Sequence, residues 1–260
     1  MKRIAAFILS AGLAFSPAIW AAEQSEVEPH IQAAVDNPQR PEADRARDAG
    51  RKPGEVLSFV GLRPGMTVLD VFSGGGYYSE ILSHLLGPDG QVIAHYNEAY
   101  QIFSGKEFEA RYAGDRLSNV WTYNSEANEI DLDEGSVDVA VFILGFHDIY
   151  YKPKDGNWPS IDAKLFMENV YRALAPAGTF VVVDHAAVDG STSETGNTVH
   201  RIDQEIVMSI LTEVGFEYVG SSDALRHPED DRTLLVFAPF LRGKTDRFIL
   251  KFRKPEGGKE

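Results

Sequence analysis

Short apolar runs alternate with helix-compatible segments over most of the chain. Apolar strands are predicted at 68–72, 91–96, 120–123, 137–144 and 179–184. Helices are predicted between and around them at 54–60, 77–86, 98–112, 161–174 and 201–214. Glycine or proline turns end several of these helices, for example at Gly61, Gly87 and Gly215. This regular alternation predicts an α/β fold with a doubly wound, mainly parallel sheet.

The sheet is expected to end with an antiparallel strand. Two further strands are predicted at 216–221 and 247–253, which completes a seven-stranded, Rossmann-like sheet. No helix of crossover quality separates these two strands, and parallel neighbours need such a crossover. The charged segment 222–246 between them is interpreted as a solvated hairpin rather than a second lid over a site.

The first residues have the order of a secretory signal peptide. Lys2 and Arg3 precede an apolar run at 4–19, and small residues follow at Ala21 and Ala22. A membrane anchor is the weaker alternative, because the run is interrupted by serine, glycine and proline and is shorter than the ~20 apolar residues of a span. The prediction is a cleaved signal peptide at 1–22 and a periplasmic location.

The remaining chain is divided by composition into three parts. Residues 23–60 are polar, helix-compatible and bounded by prolines, which predicts an N-terminal helical extension. Residues 61–254 are expected to form the α/β domain, and 255–260 a polar tail. The oligomeric state is not indicated by any of these patterns.

The composition limits the classes of partner that the chain is expected to bind. The chain has no cysteine, so no disulfide stabilises it. Its formal net charge of −14 at pH 7 repels phosphate backbones and anionic membrane surfaces. We therefore expect a small-molecule substrate, no nucleic acid and no stable membrane insertion.

The stretch "VLDVFSGGGYYSE" at 68–80 predicts a strand, a glycine-rich turn and the start of a helix. In a doubly wound sheet, ligands bind at the carboxyl ends of the strands next to the first strand. Glycines let the backbone approach a ligand, and the following helix offers free N–H donors. The alternative is an ordinary turn between a strand and a helix.

The surrounding residues carry a family resemblance. Asp70 near the end of the strand, Gly74 and Gly76 in the turn, and "LAPAGTFVVVDH" at 174–185 resemble the class I S-adenosylmethionine-dependent methyltransferases. The likeness covers 53 to about 221 and the strand "DRFILKF", and more narrowly an exported group of predicted methyltransferases. It implies an enzyme with S-adenosylmethionine as cofactor. The cofactor-binding residues it implies are Asp70, Phe72, Ser73, Gly74, Gly75, Gly76, Tyr96 and Asn97.

Two of these positions depart from the family pattern. Phe72 stands where the family has the first glycine of its turn. The second strand ends in "VIAHYNE", so Tyr96 or Asn97 stands where the family has the acid that binds the ribose hydroxyls. Glu98 follows one or two residues too late. Losing a charged acceptor weakens cofactor affinity by about one to two orders of magnitude.

Histidines and aspartates follow several predicted strands. His95, His147, His185 and His200 fall at or after strand ends, which meet at one edge of a parallel sheet. A general base at His147 or His185, oriented by Asp148 or Asp184, is one interpretation. A divalent-metal site made by the same four residues is the second, and histidines that merely cap strand ends are the third. The predicted catalytic residues are His147, Asp148, Asp184 and His185, without an assigned metal.

The aromatic loop "YYKPKDGNWPS" at 150–160 is either a substrate lid or a surface loop packed on the domain. The function these features favour is methyl transfer to a small hydroxyl, thiol or amine acceptor. The alternatives are an exported, non-methylating protein that binds another small ligand, and a metal-dependent enzyme that uses the strand-end histidines.

Overall fold

The computed structural model describes residues 27–257, so the predicted signal peptide at 1–22 lies outside the described residues. The helices are α1 (Pro29–Val35), α2 (Glu42–Arg45), α3 (Asp48–Arg51), α4 (Pro53–Val60), α5 (Tyr77–Leu86), α6 (Glu98–Tyr112), α7 (Ala163–Ala173), α8 (Glu194–Val199) and α9 (Gln204–Val214). The strands are β1 (Thr67–Val71), β2 (Gln91–Tyr96), β3 (Val120–Asn124), β4 (Val137–Ile143), β5 (Leu174–His185), β6 (Glu217–Ser222) and β7 (Arg247–Arg253).

The strands form one seven-stranded sheet in the order β3-β2-β1-β4-β5-β7-β6. Strands β1 to β5 pair in parallel, and β7 runs antiparallel to both β5 and β6. The predicted α/β fold with an antiparallel last strand is therefore confirmed. Because β7 lies between β5 and β6, the edge strand on this side of the sheet is β6, and β3 is the edge strand on the other side. The strand order reverses between β1 and β4, which places the glycine turn after β1 at the switch point.

Both faces of the sheet are covered. One face packs on α1, α4 and α5, and the other packs on α6, α7 and α9. The central strands are apolar at nearly every position, as buried parallel strands must be. None of the helices in residues 27–257 has the length and apolar character needed to cross a bilayer.

Strand β5 begins earlier than the pattern predicts. The sequence pattern predicts that the "LAPAG" segment at 174–178 ends a helix. In the structure, Leu174 instead pairs with Val137 of β4, across a register shift. Ala177 takes a left-handed φ of 62° within this segment. Pro176 cannot continue a helix, and an irregular strand beside a bulge accommodates both residues.

The N-terminal extension packs on the start of α5. Arg40 forms a two-pronged ion pair with Asp48, with distances of 2.8 and 2.9 Å, and the Tyr77 hydroxyl of α5 donates to the same carboxylate. Arg247 of β7 donates to the Gly50 carbonyl at 2.6 Å. The extension is thus attached both to the helix that follows the glycine turn and to the last strand.

The interpretation of 222–246 as a solvated hairpin is wrong. The segment consists of turns, and Asp230 and Asp246 within it are buried. Asp230 pairs with the fully buried Arg201 at 2.9 and 3.1 Å. Arg201 and Asp230 lie 29 residues apart in the sequence. The local run of charged residues therefore does not indicate that Asp230 is buried.

Candidate active site

The glycine turn has the conformation that a close approach of backbone to a ligand requires. Gly74 and Gly76 have φ values of 56° and 76°, which glycine adopts without steric cost. The Gly76 N–H donates to the Ser73 carbonyl at 3.0 Å, and the Ser73 N–H donates to the His95 carbonyl at 2.8 Å. Helix α5 begins directly after the turn, so its first N–H groups lie beside these glycines.

The Asp70 side chain is buried beneath the glycine turn and does not face the position of a ligand. It is 3% exposed and accepts a hydrogen bond from the Ser79 hydroxyl of α5 at 2.7 Å. Burial raises the pKa of this carboxyl to about 7, and the bond from Ser79 only partly opposes the rise. In this arrangement Asp70 joins β1 to α5.

Asp70→Asn is expected to change stability in a pH-dependent way. The pKa of Asp70 is raised to about 7 in the fold, so ionisation destabilises the native state progressively as pH rises from about 4 to 8. Asparagine keeps an oxygen acceptor for Ser79 and carries no charge. The free energy of unfolding of the variant minus that of the wild type should therefore rise by roughly 3–4 kcal/mol from pH 4 to pH 8. Urea unfolding of both proteins at both pH values measures this change. The same difference between variant and wild type at pH 4 and at pH 8 would contradict the prediction.

Phe72 directs its side chain into the core beside the turn. Its φ is 50°, a left-handed conformation that is costly for a bulky residue. The ring stacks on Tyr100 and His95 at centroid distances of 4.5 and 5.3 Å. Phe142, Trp158 and Phe166 surround it on the other sides. The ring therefore fills the space between the turn and the strand ends with aromatic packing.

His95 belongs to this packing and not to the other strand-end histidines. It is fully buried, and its Nε2 lies 3.1 Å from the Ser125 carbonyl oxygen. Burial lowers the pKa of His95 to about 4, so the ring is neutral at physiological pH. Its placement matches the interpretation of a histidine that supports a strand end.

Both candidates for the ribose contact are buried at the start of α6. Asn97 is the N-cap of α6: its Oδ1 accepts from the Tyr100 N–H at 2.9 Å, and its Nδ2 donates to Glu126 at 3.3 Å. Tyr96 is buried with its ring 4.6 Å from that of Phe108. The structure thus uses both residues to start and pack α6.

Helix α6 covers the glycine turn. A Cβ atom built on Gly75 would lie 2.5 Å from a Glu107 oxygen, and one built on Gly76 would lie 2.5 Å from the Tyr112 hydroxyl. Arg111 donates from Nε to the Gly75 carbonyl at 2.7 Å. These α6 side chains lie directly against the turn.

The turn fits the implied cofactor, but the space over it does not. The Ser73 and Tyr112 hydroxyls are buried and have no hydrogen-bond partner within residues 27–257, which suits a polar ligand at this point. The Glu107, Arg111 and Tyr112 side chains of α6 lie against the turn where such a ligand would contact it. Accommodating S-adenosylmethionine therefore requires at least these side chains to move away from the turn.

A cluster of histidines and aspartates lies at the ends of β4 and β5. His147 donates its backbone N–H to Asp184 Oδ2 at 2.9 Å, and its Nδ1 lies 2.7 Å from Asp184 Oδ1. Asp148 Oδ1 lies 3.3 Å from both His147 Nε2 and His200 Nδ1. The Tyr100 hydroxyl donates to the other Asp148 oxygen at 2.6 Å. Tyr100 thereby connects the cluster to Phe72 and the glycine turn.

The charges of the cluster set the protonation of its histidines. Burial lowers the pKa of His147, but the carboxylates of Asp148 and Asp184 outweigh it and raise that pKa to about 9. Burial and the neighbouring cations, His147 first, hold the pKa of His185 well below its usual range. His185 Nδ1 lies 2.8 Å from the Thr245 hydroxyl. The role of either residue as a general base remains a prediction.

The aromatic loop after the cluster borders a cavity of about 390 Å³. Tyr151 and Trp158 are among its lining residues, and Trp158 donates from its indole N–H to the Asp148 carbonyl at 2.9 Å. The Tyr151 ring lies 4.7 Å from that of His200. All of the lining residues belong to 149–161, so the loop both packs on the domain and encloses a space of its own.

Sequence reasoning did not assign three residues that shape this site. Tyr100 joins the turn to the cluster, Arg111 holds α6 on the turn, and His200 faces Asp148. Only His200 carried a signal, as a loop histidine near the strand ends. Tyr100 and Arg111 lie on an ordinary polar helix, whose position over the turn is a tertiary property.

Comparisons with known proteins agree with this fold. A family model described as "Methyltransferase domain" matches residues 62–215. No curated protein matches the sequence. A SAM-dependent methyltransferase from Aquifex aeolicus is 21% identical with a TM-score of 0.55, and the match covers 86% of this chain and 96% of that one.

Two other solved structures share the fold. Phosphoethanolamine N-methyltransferase 2 from Haemonchus contortus, in complex with S-adenosyl-L-methionine, is 14% identical with a TM-score of 0.56 over 88% of this chain and 61% of that one. The [4+2]-cyclase SpnF is 18% identical with a TM-score of 0.53, over 83% of this chain and 82% of that one. Since the family model spans more than half of the chain, the chain belongs to the methyltransferase domain family, the class I enzymes whose cofactor is S-adenosylmethionine.

Proposed function

We propose that the chain methylates a small molecule at a hydroxyl, thiol or amine group. The observation that carries this proposal is the match of a methyltransferase domain model to residues 62–215. The cavity of about 390 Å³ within residues 149–161, directly after the His147 cluster in sequence, is the candidate acceptor site. Its volume lies within the range of small-ligand sites, about 300–1,000 Å³. Its tyrosine and tryptophan side chains suit an apolar or aromatic body, and the neighbouring cluster suits a polar group on that body.

The chain's own contribution is to position the acceptor. When bound, S-adenosylmethionine supplies an already activated methyl group, so orientation accounts for most of the catalysis. Trp158 lies between the two halves of the site: its ring is 6.3 Å from that of Phe72 beside the turn, and its indole donates to Asp148 of the cluster.

A second candidate is a binding or non-methylating function that uses the same cavity. The observation that favours it is α6, whose Glu107, Arg111 and Tyr112 side chains lie against the turn. The packing of Phe72 and the use of Asn97 as a cap favour it as well. The fold is compatible with this candidate, since a [4+2]-cyclase shares it.

Calorimetric titration of the chain from Glu23 onward with S-adenosylmethionine and S-adenosylhomocysteine distinguishes the two candidates. Methyl transfer predicts binding at micromolar strength in the wild type. Gly74→Val should abolish it, because valine at a φ of 56° distorts the turn. The absence of binding at millimolar ligand would overturn the methyltransferase proposal and favour the second candidate.

Gly65→Val is the matched control. Gly65 also has a positive φ, of 86°, but its added side chain would meet nothing within 4 Å and it lies before β1. Both variants introduce comparable backbone strain, so only a loss confined to Gly74→Val reports on the turn. Wild-type binding that Gly74→Val leaves unchanged would place the cofactor elsewhere.

We also propose that the chain is exported to the periplasm. The support is the order of basic, apolar and small residues at 1–22. Cell fractionation and N-terminal sequencing of the mature protein test it. A start near Glu23 in the periplasmic fraction is expected, and an intact N-terminus in the cytoplasm would contradict export.

A further inference from the structure

We propose that His147, Asp148 and His200 bind a divalent transition-metal ion of the zinc type. One ligand atom from each residue lies within 4.8 Å of the others. This set differs from the predicted one, because His200 enters it and Asp184 and His185 do not. Two imidazoles and one carboxylate form a ligand set that zinc enzymes use while keeping a position open for substrate.

The two distances to Asp148 are compatible with ligands around one metal ion. His147 Nε2 and His200 Nδ1 each lie 3.3 Å from Asp148 Oδ1. These are long for charge-assisted hydrogen bonds, which are about 2.7–2.9 Å. Two ligand atoms each about 2.05 Å from a tetrahedral zinc ion lie about 3.3–3.4 Å apart. The three ligand atoms all lie within 4.8 Å of one another, so one ion could contact them after small side-chain shifts.

Asp184 and Tyr100 orient the ligands. His147 Nδ1 lies 2.7 Å from Asp184 Oδ1. When Nδ1–H donates a hydrogen bond to this oxygen, the other ring nitrogen, Nε2, faces Asp148 as a ligand without a proton. A carboxylate behind a metal-binding imidazole is the usual outer-shell partner at such sites. Tyr100 donates to Asp148 Oδ2 at 2.6 Å, so that Oδ1 faces both histidines.

The charge balance is compatible with a dication. The carboxylates of Asp148 and Asp184 lie beside the buried His147 ring, which is 4% exposed. The nearby cation Arg201 is paired with Asp230, at 2.9 and 3.1 Å. With an ion bound and both imidazoles neutral, its two charges would balance the two carboxylates.

The proposed ion site is connected to the candidate acceptor cavity through Tyr151, although none of the three ligands lines that cavity. The Tyr151 ring, which lines the cavity, lies 4.7 Å from the His200 ring. A Lewis acid at this position would lower the pKa of a hydroxyl or thiol that reaches it. The metal site itself rests on the cluster geometry and does not depend on methyl transfer.

Direct metal binding tests the proposal without an activity assay. The full mature chain is treated with EDTA, dialysed and titrated calorimetrically with Zn²⁺, and the visible spectrum of the Co²⁺-loaded protein is recorded. We expect one ion per chain at micromolar affinity or tighter, with the intense visible bands of tetrahedral Co²⁺. Wild-type binding weaker than millimolar would overturn the proposal, whatever the outcome for S-adenosylmethionine.

Variants then assign the ligands. His200 has a φ of 54°, which asparagine tolerates, so His200→Asn removes the ring with little change to the backbone. It should weaken Zn²⁺ binding at least 100-fold, and Asp184→Asn about 10- to 100-fold. His227→Asn, a half-buried histidine outside the cluster, should change nothing. Equal Zn²⁺ affinity in wild type and His200→Asn, with circular dichroism showing both folded, would overturn the assignment.

Discussion

Glu80→Ala is expected to lower the free energy of unfolding by about 3–5 kcal/mol. Glu80 is fully buried on α5 and pairs with Arg111 of α6 and with Arg116. Burial raises the pKa of Glu80, but hydrogen bonds from Arg116, His84 and Arg111 outweigh it and hold that pKa far below its ordinary value. Removing the carboxylate leaves Arg111, itself 5% exposed, paired among the described side chains with Asp44, which also pairs with Arg47.

Urea unfolding at pH 7 measures this loss, and Glu217→Ala is the control. Glu217 pairs with Arg253 at 3.0 Å, but both side chains are about half exposed, at 53% and 52%. Exposed pairs contribute about 0–1 kcal/mol, so this variant should be almost as stable as the wild type. Equal losses in the two variants would show that burial of the Glu80 pair contributes nothing to stability.

Phe72→Gly is expected to lower the free energy of unfolding by about 1–4 kcal/mol, which is less than the usual cost of removing a buried phenylalanine ring. Losing the ring from its contacts with Tyr100, Phe142 and Phe166 costs about 3–5 kcal/mol. Glycine at a φ of 50° relieves about 1–2 kcal/mol of left-handed strain. Glycine, the residue that the family has at this position, therefore recovers part of the lost free energy of unfolding.

Phe72→Ala separates packing from strain in the same measurement. Alanine also removes the ring, but it keeps the Cβ that disfavours the left-handed region. Phe72→Gly should thus be about 1 kcal/mol more stable than Phe72→Ala. An alanine variant that is more stable than the glycine variant would mean that the backbone at residue 72 is not strained.

Much of the fold follows from local pattern. The bounds of α5, β2, α6 and β7 agree with the predicted 77–86, 91–96, 98–112 and 247–253. Clear local signals mark the ends of α5 and the start of α6: Gly76 and Gly87 flank α5, and Asn97 caps α6. Where such a signal is ambiguous, as at "LAPAG", the predicted and observed starts of the strand differ by several residues.

The site was less accessible to sequence reasoning, because its residues are positioned by tertiary contacts. Asn97 illustrates the ambiguity: an asparagine after a strand suits a ribose contact and a helix cap equally, and only the placed α6 shows the cap. Glu80 and Arg111 lie 31 residues apart, and no periodicity relates them. The convergence of His147, Asp148 and His200 likewise depends on how α8 packs on the 146–150 turn.

The position of β7 has a consequence for the order of folding. Strand β6 has β7 as its paired neighbour, and β7 also pairs with β5 along its whole length. The outer part of the sheet therefore cannot assemble until residue 253 has been synthesised, whereas β1 to β5 can pair earlier. Contacts such as that of Arg247 with Gly50, which are 197 residues apart, likewise form only after β7 has been synthesised. During synthesis the chain should pass through a state with β5 unpaired on one side, which exposes it to pairing with other chains.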